Sequence, residues 1–323
     1  MYAPAGVHHG RQARRAGFST ATVEKPALDV LVREVVEPRW PAFRLGPPTL
    51  DGLTRRRGNG LVRLLHVDGA PVVVAVSGTV FAARAATEAA AREGIARMRF
   101  ATGIDDDLED FHARFRDDPL LGRAIRARPW LRVRRNPDPF EALTWAITEQ
   151  LIELVRAKEI QRRLIAAHGP RYGALRDAPD AATVAALAPA EIDACGLAPK
   201  RTRALCLAAR EVAAGRVDWG DDRRLLAIPE IGTWTVECLA LYGLGRLDVV
   251  PAGDLGYLKL VGRLSTGNPR AIADEDEVRG FFSAYAPYAG LAALYLSGPA
   301  RTLPAPRPGG TRSSAGSPPR AAG

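Results

Sequence analysis

The chain has 323 residues, with 45 Lys and Arg against 36 Asp and Glu and a net charge of +9. That length allows about two domains of roughly 100–200 residues each, and 47 % hydrophobic with 25 % charged residues excludes wholesale disorder. The lack of any apolar run of about 18 residues excludes a membrane-spanning helix; three scattered cysteines, Cys195, Cys206 and Cys238, exclude a disulfide framework and a four-cysteine zinc or iron–sulfur site, so a reducing, cytoplasmic setting is expected.

Residues 1–26 carry Arg11, Arg14 and Arg15, with no acid through Val23. They lack the apolar stretch of a secretory signal and do not organise into the amphipathic helix of a mitochondrial peptide, so a disordered basic arm is expected. Residues 27–103 contain an alternating stretch Leu61–Val67, the dipeptide Asp68-Gly69 and a second apolar run Val72–Val76. This pattern predicts a β-hairpin with a two- to three-residue turn. An Ala-rich helix is predicted from about Ala82 to Arg99, which makes this region a small α+β lobe.

Residues 104–300 read as helical nearly throughout. The clearest start is Asp138-Pro139-Phe140-Glu141, where Asp caps, Pro fits the first turn and Glu completes a capping-box pattern. Leu143, Ile147, Leu151, Leu154 and Val155 follow at helical spacing and predict a core-facing stripe. Further helices are predicted near Ala181–Ala188, Lys200–Ala214, Thr233–Tyr242, Leu255–Leu264 and Glu275–Leu296, the last broken at Pro287. Residues 301–323 are rich in Pro, Gly, Ser and Ala and predict a disordered tail. The two ends hold seven arginines and no acid, which leaves only +2 for residues 24–300. The basicity that first suggests a polyanionic partner thus belongs mostly to the arms, and Arg132, Arg134, Arg135, Lys200, Arg201 and Arg203 are the local basic residues that remain.

The stretch Leu225–Arg263 carries chemistry. Leu226-Ala227-Ile228-Pro229-Glu230-Ile231-Gly232-Thr233-Trp234-Thr235 predicts a short helix, a tight turn and a second helix starting near Thr233. Such a turn offers backbone N–H groups at a helix N-terminus to an anion, for instance a DNA phosphate, and Gly232 permits close approach. Asp248-Val249-Val250-Pro251-Ala252-Gly253-Asp254-Leu255-Gly256 follows. Asp254 is read both as an N-cap and as a carboxylate held at a cleft between two helix N-termini.

These two segments together resemble the helix-hairpin-helix DNA glycosylase superfamily, and within it the DNA-3-methyladenine glycosylase II branch. Asn136-Pro137-Asp138-Pro139-Phe140-Glu141-Ala142-Leu143 with Gln150-Leu151-Ile152 is similar to the early Gln-bearing helix of that family. Cys195-Gly196-Leu197-Ala198-Pro199-Lys200-Arg201 is similar to its Gly-Leu-Ser helix start, and Tyr285-Ala286-Pro287-Tyr288-Ala289 falls where the family has a Pro-Trp-Arg element. The resemblance implies a mainly α fold with an N-terminal α+β lobe, the helix-hairpin-helix glycosylase fold. It implies double-stranded DNA containing damaged bases as partner, a monomeric state and a bacterial, nucleoid-associated location.

By the same resemblance, Asp254 is the catalytic carboxylate, and Trp234, Cys238 and Tyr288 line the base pocket. Gln150, Leu151, Ile231, Gly232, Thr233, Lys200 and Arg201 contact DNA, with Leu151 as the wedge that fills the space of the flipped nucleotide. Core packing is the other reading of Leu151 and of Trp234. Bifunctional relatives place a lysine where this chain has Trp234, so base excision without strand cleavage is implied. No cofactor, no metal-binding side chains and no iron–sulfur cluster are expected, although the hairpin of this family often carries a cation on its backbone carbonyls. Glu149, Glu153 and Glu230 depart from the family by putting acids near the expected DNA face, where they oppose phosphate. Cys238 stands in place of an aromatic, and Ala289 in place of Arg. Those departures motivate a second reading, a non-catalytic lesion-sensing DNA-binding protein; a third is a glycosylase for deaminated or oxidised bases.

Overall fold

The computed structural model describes residues 27–297, so the arms expected at 1–26 and 301–323 lie outside the described residues. The chain begins with β1 (Val30–Val35), β2 (Thr54–Arg57), β3 (Gly60–Val67), β4 (Ala70–Ser77) and β5 (Val80–Ala85). They form one antiparallel sheet in the order β1-β5-β4-β3-β2. The β3–β4 turn is the expected Asp68-Gly69 pair: Val67 faces Ala70 across it, and φ is +49° and +76° at the two turn residues. Both angles lie in the left-handed region, which suits the right-handed twist of the flanking strands.

Helix α1 (Glu88–Thr102) lies across the sheet, capped by Thr87 and closed by Gly103. Ile95 and Met98 pack there against Val72, Val74 and Phe81. Gly94 allows this approach, because a Cβ at that position would come within 2.6 Å of Val72 Cγ1. The sequence placed the helix start too early. Ala82–Ala85 instead continue β5, paired with β4 and β1, because small alternating residues bury as well on a pleated strand as on a helix.

The rest is helical apart from a two-residue ribbon. In order come α2 (Glu109–Phe115), α3 (Gly122–Ala127), α4 (Pro139–Glu149), α5 (Leu154–His168), β6 (Arg171–Tyr172), β7 (Leu175–Arg176), α6 (Ala181–Ala186), α7 (Pro189–Asp193), α8 (Pro199–Ala213), α9 (Arg223–Leu226), α10 (Thr233–Tyr242), α11 (Leu255–Thr266), α12 (Glu275–Ser283) and α13 (Ala289–Leu296). Two apolar cores organise them. One gathers Phe111, Val261, Phe282, Leu291 and Tyr295 from α2 and α11–α13; the other gathers Leu143, Ile147, Leu205 and Leu239 from α4, α8 and α10. Helix α10 serves both, with Val236 and Leu239 in the second core and Leu241 in the first. Its apolar residues therefore do not form a single stripe, and the seam between the cores runs along it.

Two expectations about α4 need correction. Asp138 caps it, accepting from the amides of Phe140 and Glu141, but Glu141 does not close a capping box. Its carboxylate turns into the protein and bonds Arg63 of β3 and Asn136, since an inward arginine offers a stronger partner than a backbone amide. The predicted core stripe also ends early: Leu143 and Ile147 are buried, but Leu151, Leu154 and Val155 are exposed. The helix stops at Glu149, and residues 150–153 form a turn before α5. Helical spacing continues through a break that the sequence does not mark with Gly or Pro.

Candidate active site

The hairpin turn joins α9 to α10 through residues 227–232. Ile231 is buried at 4 % exposure in the core around α4 and α8, where its apolar side chain anchors the turn from inside and leaves only its backbone at the expected DNA face. Gly232 is the exposed N-cap of α10; Thr235 N reaches back to Gly232 O at 3.0 Å, while the amides of Thr233 and Trp234 have no helical carbonyl to bond. A Cβ at Gly232 would meet nothing within 4 Å, and its φ is an ordinary −107°. Nothing inside the protein requires glycine there, so open access from outside is what the residue provides. Glu230 has φ +71°, a left-handed conformation that explains why glycine is expected at this turn position.

The residues expected at a DNA face converge on this turn. Gln150 donates from Nε2 to Glu230 O at 2.7 Å and to Thr235 Oγ1 at 2.8 Å. Lys200, at the start of α8, pairs with Glu230 at 3.7 Å. Thr233 and Lys200 are exposed and Arg201 is half-buried. Leu151, next to Gln150, is 96 % exposed and held at φ +51°. A leucine that is both fully exposed and in a conformation costly for a β-carbon serves no packing role, which removes the core reading. Of the other basic residues expected here, Arg132 and Arg135 turn inward. Arg132 bonds the carbonyls of Trp40 and Ala42 at 2.8 and 2.7 Å, and Arg135 grips Asp106 with two bonds of 2.9 Å.

Asp254 is the N-cap of α11, its carboxylate accepting from the Gly256 amide at 2.7 Å. It opens onto a cavity of about 580 Å³ whose wall also includes Glu149, Trp234, Cys238, Tyr242 and Tyr257. Trp234 thus shares a chamber with Asp254, as expected, although its indole Nε1 is buried without a partner. Burial and the neighbouring carboxylates of Glu149 and Asp254 push the Cys238 thiol well up; it stays protonated and is a small apolar wall rather than a nucleophile. Burial lifts Tyr257 to about 12 and pushes Tyr242 well up too, the two phenols bonding each other. Tyr288 does not belong to this chamber. Its hydroxyl donates to Asp110 at 3.0 Å and its ring packs edge-on against Phe111, so α2 draws it away to the core around α13.

The sequence reading missed two features of the site. Gly256, Lys259, Leu260 and Arg263 all line the cavity, and their 3-4-7 spacing on α11 marks one helix face; that periodicity was the available signal for Lys259 and Arg263. Glu237 of α10 is the other. Its Oε2 accepts from the Ala252 amide at 3.0 Å and its Oε1 from Arg279 of α12 at 2.9 and 3.1 Å. The Pro251-Ala252-Gly253 loop that delivers Asp254 is thereby tied to α10. No sequence pattern signals that pairing, which spans 15 residues on one side and 42 on the other. Among the described residues, no group of three His, Cys, Asp or Glu side chains is placed to hold a metal ion.

A helical hairpin, a carboxylate capping the helix 22 residues beyond it and a sheet-bearing N-terminal lobe together define the helix-hairpin-helix DNA glycosylase fold. The 3-methyladenine DNA glycosylase of Archaeoglobus fulgidus superposes with a TM-score of 0.66 at 19 % identity, covering 82 % of this chain and 97 % of that one. An 8-oxoguanine glycosylase/lyase of Clostridium acetobutylicum gives 0.62 at 16 % identity, covering 82 % and 95 %. In sequence, the chain resembles the probable bifunctional transcriptional activator/DNA repair enzyme AlkA of Mycobacterium tuberculosis, 31 % identical over 170 residues, which are 50 % of this chain and 34 % of that protein. It also resembles the DNA-3-methyladenine glycosylase of Bacillus subtilis, 27 % identical over 188 residues, 53 % of this chain and 61 % of that protein. The match thus spans about a third to three-fifths of these curated relatives. No family model matches the chain.

Proposed function

We propose that the chain is a monofunctional DNA glycosylase that hydrolyses the N-glycosidic bond of alkylated, 3-methyladenine-type bases flipped out of duplex DNA, the first step of base excision repair. The observation that carries this reading is Asp254, fixed by the Gly256 amide and facing the cavity that Trp234 also walls. Alkylation makes the base cationic and a good leaving group, so the chemical demand falls on the sugar. A carboxylate held at one place stabilises the developing oxocarbenium ion and orients or deprotonates the attacking water. Trp234 offers an electron-rich face to the cationic base. Lys259 and Arg263, on the rim of the same cavity, suit the phosphates of the extruded nucleotide, and Leu151 suits the gap it leaves.

The curated relatives' names support alkylated bases as substrates. The acids that motivated a non-catalytic reading are largely answered inside the molecule: Glu149 pairs with Lys158 at 2.6 Å and Glu230 with Lys200. The reaction itself calls for a carboxylate and water and no cofactor. The turn carbonyls of Ile228 and Glu230 each accept one protein hydrogen bond and keep a second lone pair, so they fit a backbone-held cation, which takes no part in bond cleavage.

Release of 3-methyladenine from methylated duplex DNA tests the proposal. Asp254→Asn is expected to lower release by about 10²–10⁴-fold; equal release by both proteins overturns the assignment. Borohydride added during turnover is expected to trap no covalent protein–DNA adduct. An adduct lost on Lys259→Met would replace the monofunctional reading with a lyase that uses this rim lysine.

A further inference from the structure

In the sequence Glu149 is a departure, an acid near a DNA face. The structure holds it half-buried between two cavities. It is the last residue of α4 and stands on the wall shared by the Asp254 cavity and a second cavity of about 510 Å³ lined by Leu50, Asn136, Trp145, Cys238 and Tyr242. Its two carboxylate oxygens differ. Oε1 accepts from Lys158 Nζ at 2.6 Å and from Gln161 Nε2 at 2.9 Å; Gln161 is itself fully buried and also donates to Thr148 Oγ1 at 2.9 Å. Among the described residues no donor engages Oε2. A carboxylate gripped from one side by an ammonium and an amide cannot rotate freely, and its other oxygen becomes a fixed acceptor.

On the reading that this cavity receives the flipped base, we propose that Glu149 is a specificity-determining residue whose Oε2 accepts a hydrogen bond from an N–H on the edge of the base. The site then favours purines that carry such a donor over bases whose edge offers only acceptors. Lys158 offsets the carboxylate charge, so selection follows the direction of the hydrogen bond rather than net charge. A base without the donor leaves a desolvated carboxylate oxygen facing its own lone pairs, which a polar site rejects strongly.

Glu149→Gln tests this with little change of shape. The two donors at Oε1 hold the new amide by its carbonyl, which points the NH2 group to where Oε2 was and swaps an acceptor for a donor. The probes are free 7-methylguanine, with N–H donors on the edge opposite N9, and free 1,N6-ethenoadenine, whose corresponding edge carries acceptors only. Each is added to the full chain on an abasic duplex, and binding is read by tryptophan fluorescence. Wild type is expected to prefer 7-methylguanine. Glu149→Gln is expected to weaken that base by about tenfold or more while leaving 1,N6-ethenoadenine unchanged or tighter, with the same shift in the kcat/KM ratio for release from duplexes carrying each base. An equal change for both bases, or no change for either, overturns the proposal. A thermal midpoint reports the fold; if Glu149→Gln does not fold, Glu149→Ala must abolish the preference, and a retained preference overturns the proposal. Base binding that depends on Glu149 in a protein that releases no base would defeat the glycosylase reading alone. Release with an unaltered ratio would defeat this inference alone.

Discussion

Neither Gly232 nor Leu151 is explained by what it does for the fold. Gly232 has open space where a Cβ would stand and an unstrained φ, so Gly232→Ala is expected to leave the thermal midpoint within about 2 °C. It should weaken binding to an abasic duplex about tenfold, measured by fluorescence anisotropy, because the methyl group holds a phosphate away from the α10 amides. Leu151 is 96 % exposed. Leu151→Ala is expected to change stability by less than about 0.5 kcal/mol while lowering base release, most of all from well-paired duplexes, where extrusion costs most. Asp254 was legible in the sequence because a cap and a carboxylate share one position. Tyr288 was not, because an element assigned by resemblance says nothing about which core its ring will join.

At the scale of elements, the site depends on three segments held in register. Gln150 ties the turn after α4 to the hairpin, Lys200 ties the start of α8 to it, and Glu237 ties the loop before α11 to α10. The start of α4 and both ends of α8, α10 and α11 were read to within two residues, because caps, Pro and Gly punctuate them. The α4–α5 break and β5 were misread, since hydrophobic spacing alone does not separate a continued helix from a turn or a strand. Glu237 acts through the backbone of Ala252 and so positions Asp254. Glu237→Ala is expected to lower kcat by about a hundredfold, the usual consequence of misplacing a catalytic group by an ångström, with affinity for abasic DNA kept. Single-turnover kinetics beside an anisotropy titration check both parts.

At the scale of the molecule, the lobe is fastened to the helices by buried polar side chains that bond across the two. Arg63 of β3 bonds Glu141 of α4 and lies 3.6 Å from Asp177, which also meets His66 at 3.1 Å. Trp40 stacks on His112 of α2 and donates to Pro129 O at 2.8 Å. Burial outweighs the attraction of Arg63 and lifts the Glu141 carboxyl to about 7. The folded protein then keeps this proton up to about pH 7, whereas the unfolded chain releases it near the ordinary 4.5. The folded state binds more protons between those values, so this contribution to stability is full below about pH 4.5 and falls as pH rises towards 7. Urea unfolding at pH 5 and pH 8 is expected to show the slope, and Glu141→Gln to remove it. Glu141→Ala leaves Arg63 in the interior with only the longer contact to Asp177 and is expected to cost about 3 kcal/mol.

The sequence by itself determined the lobe-and-helices layout, the Asp68-Gly69 hairpin, the α9–α10 turn and the place of Asp254 as a helix cap. Those features are written in local chemistry: turn residues, caps and short-range spacing. Only the tertiary structure decided that Glu149 faces the cavity, that Lys259 and Arg263 line it, that Glu237 holds the loop before Asp254, and that Arg132, Arg135 and Tyr288 bond within the protein. Each of those outcomes depends on partners distant in the chain. A charged or aromatic side chain takes whichever strong partner the fold brings within reach, and local sequence does not name that partner.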